Sequence, residues 1–145
     1  MDYKREVIDK LRCYESKCRS LHRIRAEISR LEVEFEHIRS ASAGDTAVSG
    51  SGSTKEDAMI SNIAMRAELV KAEELTAAWI QIIDDARRSM NAEEWSILDG
   101  MYVRPVKGHV DRLCAALNVE KTTLYNRKND ALRKFTIELY GITEL

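Results

Sequence analysis

The sequence has few of the residues that interrupt helices and few of those that favour strands. Among 145 residues it contains one proline, six glycines and only 6% aromatic residues. Such a composition argues against a β-sandwich or a barrel, in which turn residues and aromatic strand residues recur. Apolar residues make up 44% and charged residues 32%, which is typical of soluble helical proteins. We therefore expect an all-α fold.

Cysteine is scarce as well, and its three positions suit neither a disulfide framework nor a metal site. Cys13 and Cys18 lie five residues apart, well over a hundred degrees around a helix, so they cannot hold one ion on one face. An odd, scattered set predicts reduced thiols in a cytoplasm. No apolar run approaches the roughly 20 residues that span a membrane, and we recognise no signal segment. We expect a cytoplasmic protein without a membrane partner.

Residues that could form a catalytic site are dispersed. His22, His37 and His109 lie far apart, and helical spacing implies no Ser/His/Asp or Cys/His arrangement. Residues 50–53 are rich in glycine and serine but lack the lysine that directly follows in a phosphate-binding loop. We expect a protein that is not an enzyme and that has no cofactor and no metal site.

A heptad pattern of apolar residues runs through the first forty residues. Their steps are of three and four, with one extra step of three between Leu21 and Ile24. The pattern predicts one long amphipathic helix from Tyr3 to Arg39. Its apolar positions are Val7, Leu11, Tyr14, Cys18, Leu21, Ile24, Ile28, Leu31, Phe35 and Ile38.

Residues 40–55 contain only Ser, Ala, Gly, Thr, Asp, Val and Lys, which predicts a flexible linker, because these residues bury too little surface to offset the entropy of ordering them. Ser53 and Glu56 then form a capping-box pair that opens a second long helix, running to about Met90. The predicted apolar face of this helix includes Met65, Leu69, Ala72, Leu75, Trp79, Ile82, Ile83, Ala86 and Met90.

Two apolar seams of similar length can bury each other as an antiparallel, coiled-coil-like hairpin. Pairing between chains is the alternative, and a four-helix dimer would combine both. We interpret residues 1–90 as this helical hairpin, and the sequence leaves open whether the long helices also form a homodimer. Leu21, Ile28, Trp79 and Ile82 are predicted packing residues.

Three shorter helices are predicted in residues 91–145. Asn91 and Glu94 form a capping box that starts the first, with Trp95, Leu98 and Met101 facing inward, and residues 103–108 form a loop. The second helix runs from about His109 to Leu117 and the third from about Lys121 to Tyr140. A tight turn at Asn118 and Val119 separates them, and Gly141 follows the last helix.

The last two predicted helices have the pattern of a helix-turn-helix. Cys114 is small enough for a close crossing, and Asn118 tolerates the left-handed backbone that the turn needs. Residues 104–135 carry eight Lys/Arg against three Asp/Glu, a net charge of +5, which favours an anionic partner. We therefore expect residues 91–145 to form a trihelical domain that binds double-stranded DNA. Its predicted core residues are Leu113, Leu117, Val119 and Leu124.

The last helix is expected to enter the major groove, where its first two turns lie closest to the bases. The predicted base-facing residues are Lys121, Thr122, Thr123, Tyr125, Asn126 and Asn129. Basic residues beside them are expected to contact phosphates, which supplies salt-dependent affinity without sequence information. The predicted phosphate contacts are Arg112, Arg127, Lys128, Arg133 and Lys134.

Residues 91–140 resemble region four of bacterial sigma factors, the module that reads the upstream promoter element. Ala131, Leu132, Arg133, Lys134 and Phe135 look like that family's helix-ending signature. The layout of the whole chain is similar to small phage and prophage regulators of the RinA and ArpU kind. The resemblance implies a transcriptional regulator with RNA polymerase as a second partner.

Carried over by position, the resemblance implies that Lys121, Thr122, Tyr125 and Asn126 face the bases. Glu120 departs from the family, which has a Ser or Thr cap there. No segment resembles the promoter-melting region of a sigma factor, so we do not expect this chain to open DNA by itself.

Two alternatives fit the same pattern. A small terminase subunit for DNA packaging also joins a helix-turn-helix to a helical oligomerisation part, and a helical protein-interaction module needs no DNA.

The acidic residues Asp84, Asp85, Glu93 and Glu94 suit either a polymerase-binding patch or helix capping and solubility.

Overall fold

The computed structural model describes the backbone of residues 2–41 and 51–141 and the side chains of residues 2–41 and 54–141. Within these ranges the protein is helical and contains no strand, which confirms the predicted all-α class. No helix in the described ranges combines the length and the apolar character needed to cross a membrane. The helices are α1 (Tyr3–Ser40), α2 (Ser51–Arg88), α3 (Ala92–Leu98), α4 (His109–Leu117) and α5 (Lys121–Tyr140), and α3 continues as a π-helical turn, Asp99–Val103.

The predicted ends of the shorter helices are confirmed where a capping residue marks them. Asn91 precedes α3, and its side chain accepts a hydrogen bond of 2.8 Å from the N–H of Glu94. Gly141 follows α5 with a φ of 66° and donates its N–H to the carbonyl of Ile137 at 2.7 Å. Glycine adopts this left-handed conformation without a Cβ clash, which is why it ends the helix.

The predicted linker at residues 40–55 is wrong at both ends, and residues 42–50 lie outside the described ranges. Ser40 belongs to α1, and residues 51–55 belong to α2. Because α2 begins at Ser51, Ser53 lies inside the helix and cannot be its N-cap. The composition of residues 51–55 favours a loop, and a contact between α1 and α2 opposes this preference. Nζ of Lys55 donates to the carbonyls of Arg39 and Ala41, at 3.2 and 3.1 Å. This contact satisfies carbonyls at the end of α1.

The predicted loop at residues 103–108 starts one residue too early. Val103 is buried in the π-helical turn, which the N–H of Arg104 closes on the carbonyl of Asp99 at 2.7 Å. Close packing occurs at this turn, because a Cβ built on Gly100 would lie 2.9 Å from a methyl carbon of Leu113. The absence of a side chain at Gly100 therefore lets α4 approach.

The chain forms two compact units, which we call the terminal unit (Met1–Cys18 and Trp79–Leu145) and the middle unit (Arg19–Ala78). In the terminal unit, the start of α1 and the end of α2 contribute Val7, Leu11 and Ile83 to one apolar core. Leu132 and Phe135 of α5 complete this core and are fully buried. The hydroxyl of Tyr14 also donates to the carboxylate of Asp84 at 2.5 Å.

One predicted packing residue of the terminal unit is exposed. Leu21 and Ile28 of the middle unit and Trp79 of the terminal unit are at least half-buried as expected, but Ile82 is 54% exposed. Ile80 and Ile83 occupy the buried positions instead. Ile82 precedes Ile83 by one residue and therefore lies about 100° from it around the helix. Because Ile83 faces the core, Ile82 points outward.

In the middle unit, α1 and α2 run antiparallel. Arg25 pairs with Glu73 at 3.8 Å, whereas the carbonyl of Leu31, further along α1, accepts a hydrogen bond of 2.9 Å from Asn62, further back along α2. The buried position of α2 here is polar, since Asn62 is 3% exposed and also accepts from Nε of Arg66 at 2.7 Å.

Several residues of the predicted α2 face in the middle unit are exposed. Met65 and Leu75 were expected inside and are 49% and 67% exposed. α2 has more apolar residues than one neighbouring helix can cover. The side of α2 that is buried here contains Asn62 and differs from the predicted side, which contains Met65 and Leu75. Together with Met65 and Leu75, the exposed large apolar residues of α2 in this unit are Ile60, Ile63 and Val70.

Candidate nucleic-acid interface

The turn between α4 and α5 has the predicted position and backbone. Asn118 has a φ of 54° and a ψ of 51°, and it is the only non-glycine residue with a positive φ in the described ranges. The N–H of Val119 donates to the carbonyl of Cys114 at 3.0 Å, which closes the end of α4. α5 begins three residues after Asn118.

A small apolar cluster fixes α5 against α3 and α4. Ile97, Leu113 and Leu124 are buried at its centre. The four predicted core residues all belong to it, so their prediction is confirmed. Ile97 was missed, although its i,i+4 spacing to Met101 is a helical signal that could have found it. The half-buried members are Met101, Val110, Cys114, Leu117 and Val119.

Three predicted base-facing residues lie along one outer stripe of α5. Thr122, Asn126 and Asn129 are exposed, and a rotation of about 100° per residue places them opposite the buried Leu124 and Phe135. We call these three residues the polar stripe. Their hydroxyl and amide groups can both donate and accept hydrogen bonds, as the reading of base edges requires.

The other predicted base-facing residues lie elsewhere. Lys121, the first residue of α5, is exposed with its Nζ 3.8 Å from a carboxylate oxygen of Asp111 in α4. Thr123 is half-buried. Tyr125 is 41% exposed and lies beside the polar stripe, one position before Asn126. The structure therefore groups Tyr125 with the stripe and separates Thr123 from it.

On the flank of α5 that faces α3, two predicted phosphate contacts are paired with carboxylates. The guanidinium of Arg127 donates to Glu93, and Nζ of Lys134 lies 3.1 Å from Glu94. Arg127 and Glu93 are both 45% exposed, so solvent screens this pair strongly. A DNA phosphate could therefore compete for these cations at a small cost.

On the flank that faces α1, Lys128 has a different environment. Its Nζ lies 5.1 Å from the centre of the Tyr125 ring, a cation–π distance. Burial lowers the pKa of Lys128, and the positive charge of Lys4 on α1 lowers it further. The sequence pattern predicts only a solvated basic face for Lys4 and does not connect it with Lys128, because the two residues are far apart in the chain.

The two remaining predicted phosphate contacts lie on exposed surfaces of different helices. Arg112 is exposed on α4, and Arg133 is exposed on α5, one helical turn beyond Asn129. Cationic side chains therefore occur on both flanks of the polar stripe and at its far end. This arrangement suits a helix that lies in a groove between two phosphate backbones.

The acidic residues considered for polymerase binding each have a partner within the terminal unit. Asp84 accepts from Tyr14, and Asp85 pairs with Arg88 at 3.0 Å. Glu93 and Glu94 pair with Arg127 and Lys134 as described. Intramolecular pairing thus accounts for all four carboxylates. Among the described residues, no group of three or more His, Cys, Asp or Glu side chains is placed to hold a metal ion.

Comparisons of this chain with protein-family models, with curated proteins and with solved structures found no match.

Proposed function

We propose that this protein is a sequence-specific DNA-binding transcriptional regulator of the phage or prophage kind, acting in the cytoplasm. Its helix-turn-helix comprises α4, the turn at Asn118 and α5, and α5 lies in the major groove. The observation that carries the proposal is the polar stripe of Thr122, Asn126 and Asn129, exposed on a helix whose opposite side is held in an apolar core.

The stripe supplies the chemistry for direct readout. The amide of Asn126 can donate to and accept from the Hoogsteen edge of adenine, a pairing worth about 1–3 kcal/mol of discrimination. Tyr125, at the edge of the stripe, offers a hydroxyl and an aromatic ring. The rigid attachment of α5 through Leu124 reduces the entropy cost of placing these groups against the bases.

The flanking cations supply the affinity that does not depend on sequence. Arg127 and Lys134 meet one phosphate backbone, and Lys128 meets the other. The ion pair of Arg127 with Glu93 is exposed and weak, so the exchange of its carboxylate for a phosphate is inexpensive. Release of counterions from DNA then makes binding favourable and salt-dependent.

The long helices form the helical hairpin and serve for dimerisation or for contact with RNA polymerase. The five large exposed apolar residues of α2 in the middle unit support this role, because a second helix could cover part of them. A dimer would also present two copies of α5, as palindromic sites require.

The proposal is tested by selecting bound duplexes from a random pool and then measuring affinities for selected and unrelated duplexes. Asn126→Ala and Tyr125→Ala are expected to weaken binding to the selected duplex and to leave binding to unrelated DNA nearly unchanged. Lys128→Ala is expected to weaken both and to lower the salt slope by about one. Equal losses on both duplexes for all three variants would contradict base reading.

The mass of the protein in solution distinguishes the proposed regulator from a packaging protein. A dimer at micromolar concentration agrees with a regulator, and a monomer would remove the dimerisation role. A ring of eight or more chains would instead favour a small terminase-like protein. The absence of binding to mixed duplex DNA at low salt would favour a protein-interaction module.

A further inference from the structure

A stripe of exposed residues runs along α2 in the middle unit, on the side that faces away from α1. Asn62 points toward α1, since it is 3% exposed and donates to the carbonyl of Leu31. Ile60 points the opposite way, because two residues turn about 200° around a helix. Steps of three and four residues continue the line from Ile60 along one face. We call this line the α2 stripe; its residues are Ile60, Ala64, Ala67, Glu68, Lys71 and Leu75, and all are exposed.

The α2 stripe has large apolar residues at its two ends and small or charged residues between them. Ile60 and Leu75 are 64% and 67% exposed, the largest values among the large apolar residues of the described ranges. They lie about 22 Å apart along the helix axis. The two alanines between them allow a second helix to approach closely. The stripe therefore has the form of a helix-packing surface that α1 leaves uncovered.

The α2 stripe is complementary to a copy of itself in the antiparallel direction. In a twofold dimer both copies use the same surface, so each contact between two different residues occurs twice. With the axis between Ala67 and Glu68, Ile60 lies opposite the partner's Leu75. Two such apolar pairs form, one at each end of the interface, and they remove the most exposed apolar side chains from water.

The charges of the α2 stripe fit the same register. Neither Lys71 nor Glu68 forms an ion pair within the part of the chain that the structure describes. In the antiparallel register Lys71 lies opposite the partner's Ala64, whose small side chain leaves room for the lysine, and about one helical turn from the partner's Glu68. The two lysines and two glutamates near the axis therefore neutralise one another.

A parallel pair lacks this complementarity. Each residue would then lie opposite its own copy, so that Lys71 would face the partner's Lys71 and Glu68 would face the partner's Glu68. Like charges that face each other across an interface oppose binding. The antiparallel register instead keeps the two lysines about 10 Å apart along the helix axis. Charge complementarity thus favours antiparallel pairing with a second copy.

We infer that the α2 stripe binds the α2 stripe of a second copy of this chain, as an antiparallel pair of helices with a twofold axis between Ala67 and Glu68. The inference rests on the dimerisation role in the proposed function, and it does not depend on DNA binding. It specifies the surface and the register of the dimer and assigns this face of α2 to a second copy rather than to RNA polymerase.

Sedimentation equilibrium over a range of protein concentrations tests the surface. Leu75→Gln is expected to raise the dissociation constant of the dimer by about tenfold or more, because a polar side chain replaces an apolar contact that occurs twice. Met65→Gln is the matched control, since Met65 is 49% exposed on the same helix but lies about 100° from Ala64 and outside the stripe. It is expected to leave the dissociation constant unchanged, and circular dichroism checks that both variants stay helical.

Disulfide cross-linking tests the orientation in a chain whose native cysteines, Cys13, Cys18 and Cys114, are replaced by alanine. A mixture of the Ile60→Cys and Leu75→Cys variants is expected to form cross-linked dimers, because these positions meet in the antiparallel register. Either variant alone is expected to remain without a cross-link, since its two introduced cysteines would lie about 22 Å apart along the axis.

A monomer at all concentrations, or a dimer that Leu75→Gln leaves intact, would overturn the inference. Cross-linking of each variant alone but not of the mixture would show parallel pairing and overturn the register. A monomer whose binding to RNA polymerase is lost in Leu75→Gln would assign the stripe to that partner instead. These results leave base reading untouched, which Asn126→Ala tests by itself, and failure to bind DNA would reject the proposed regulator without removing the dimer.

Discussion

The terminal and middle units bury their apolar residues to very different extents. In the terminal unit Leu11, Leu132 and Phe135 are fully buried, because the ends of α1 and α2 pack with the shorter helices. In the middle unit only α1 and α2 take part, and Ile60 and Leu75 stay 64% and 67% exposed. One helix covers only one stripe of its neighbour. The same two helices therefore have a complete core only where further elements join them.

The largest expected effect tests this difference in the cores. Phe135→Ala is expected to lower the free energy of unfolding by about 3–5 kcal/mol, because it leaves a cavity in a closed core. At a protein concentration low enough for the chain to be monomeric, Leu75→Ala in the middle unit should change it by no more than about 0.5 kcal/mol, since the exposed side chain has few contacts to lose. Urea unfolding followed by circular dichroism measures both. A large loss for Leu75→Ala that depends on protein concentration would show that this face is covered in solution.

A second test compares the polar contacts that join α1 to α2 in each unit. Tyr14 donates to the carboxylate of Asp84 in the terminal unit, and Asn62 donates to the carbonyl of Leu31 in the middle unit. Tyr14→Phe is expected to cost about 1.5–3 kcal/mol, because its acceptor is charged, and Asn62→Ala about 1–2 kcal/mol. Thermal unfolding at neutral pH measures which of the two variants loses more stability. A larger loss for Asn62→Ala would contradict it.

Only the Tyr14 contact is expected to depend on pH. Burial raises the pKa of Tyr14 well above its ordinary value of 10.0, and the hydrogen bond to Asp84 raises it further. The contribution of Tyr14 to stability is therefore complete below pH 10 and is lost as the pH rises above that value, because the unfolded chain ionises first. The advantage of wild type over Tyr14→Phe should shrink from about pH 10 upward, as measured by urea unfolding at several pH values.

The turn at Asn118 tests whether the terminal unit depends on backbone conformation as well as on its core. Asn118→Val is expected to cost about 1–2 kcal/mol, because a β-branched residue is strained at a φ of 54°. Asn118→Gly, the matched control, should change stability by only a few tenths of a kcal/mol, since glycine adopts this conformation freely. Thermal unfolding of the two variants makes the comparison. Equal melting temperatures would mean that the turn relaxes without strain.

The smallest expected effect lies at the start of α5. Glu120 is its N-cap residue and makes no side-chain capping hydrogen bond. Glu120→Ser is expected to stabilise the protein by about 0.5–1 kcal/mol through a new cap and to strengthen DNA binding by removal of a negative charge. Glu120→Ala should strengthen DNA binding without the gain in stability. Weaker DNA binding by both variants would place the start of α5 away from the phosphates.

The sequence by itself determined the features that depend on neighbouring residues. The C-terminal ends of α4 and α5 follow from local signals, because Asn118 and Gly141 are residue types that tolerate the left-handed conformation which ends each helix. The apolar core beneath α5 was predictable as well, since helical spacing puts Leu113 and Leu117 on one side of α4 and the predicted turn at Asn118 brings Leu124 of α5 back to them. The roles of the exposed residues in DNA binding stay a prediction.

Only the tertiary structure decided which helix faces meet. The exposure of Ile82, the helical state of residues 51–55 and the pairing of Arg127 with Glu93 depend on contacts between distant segments. An amphipathic helix with apolar residues on more than one side can rotate among several packings of similar energy. The sum of many long-range contacts selects one of them, and no local pattern records that choice.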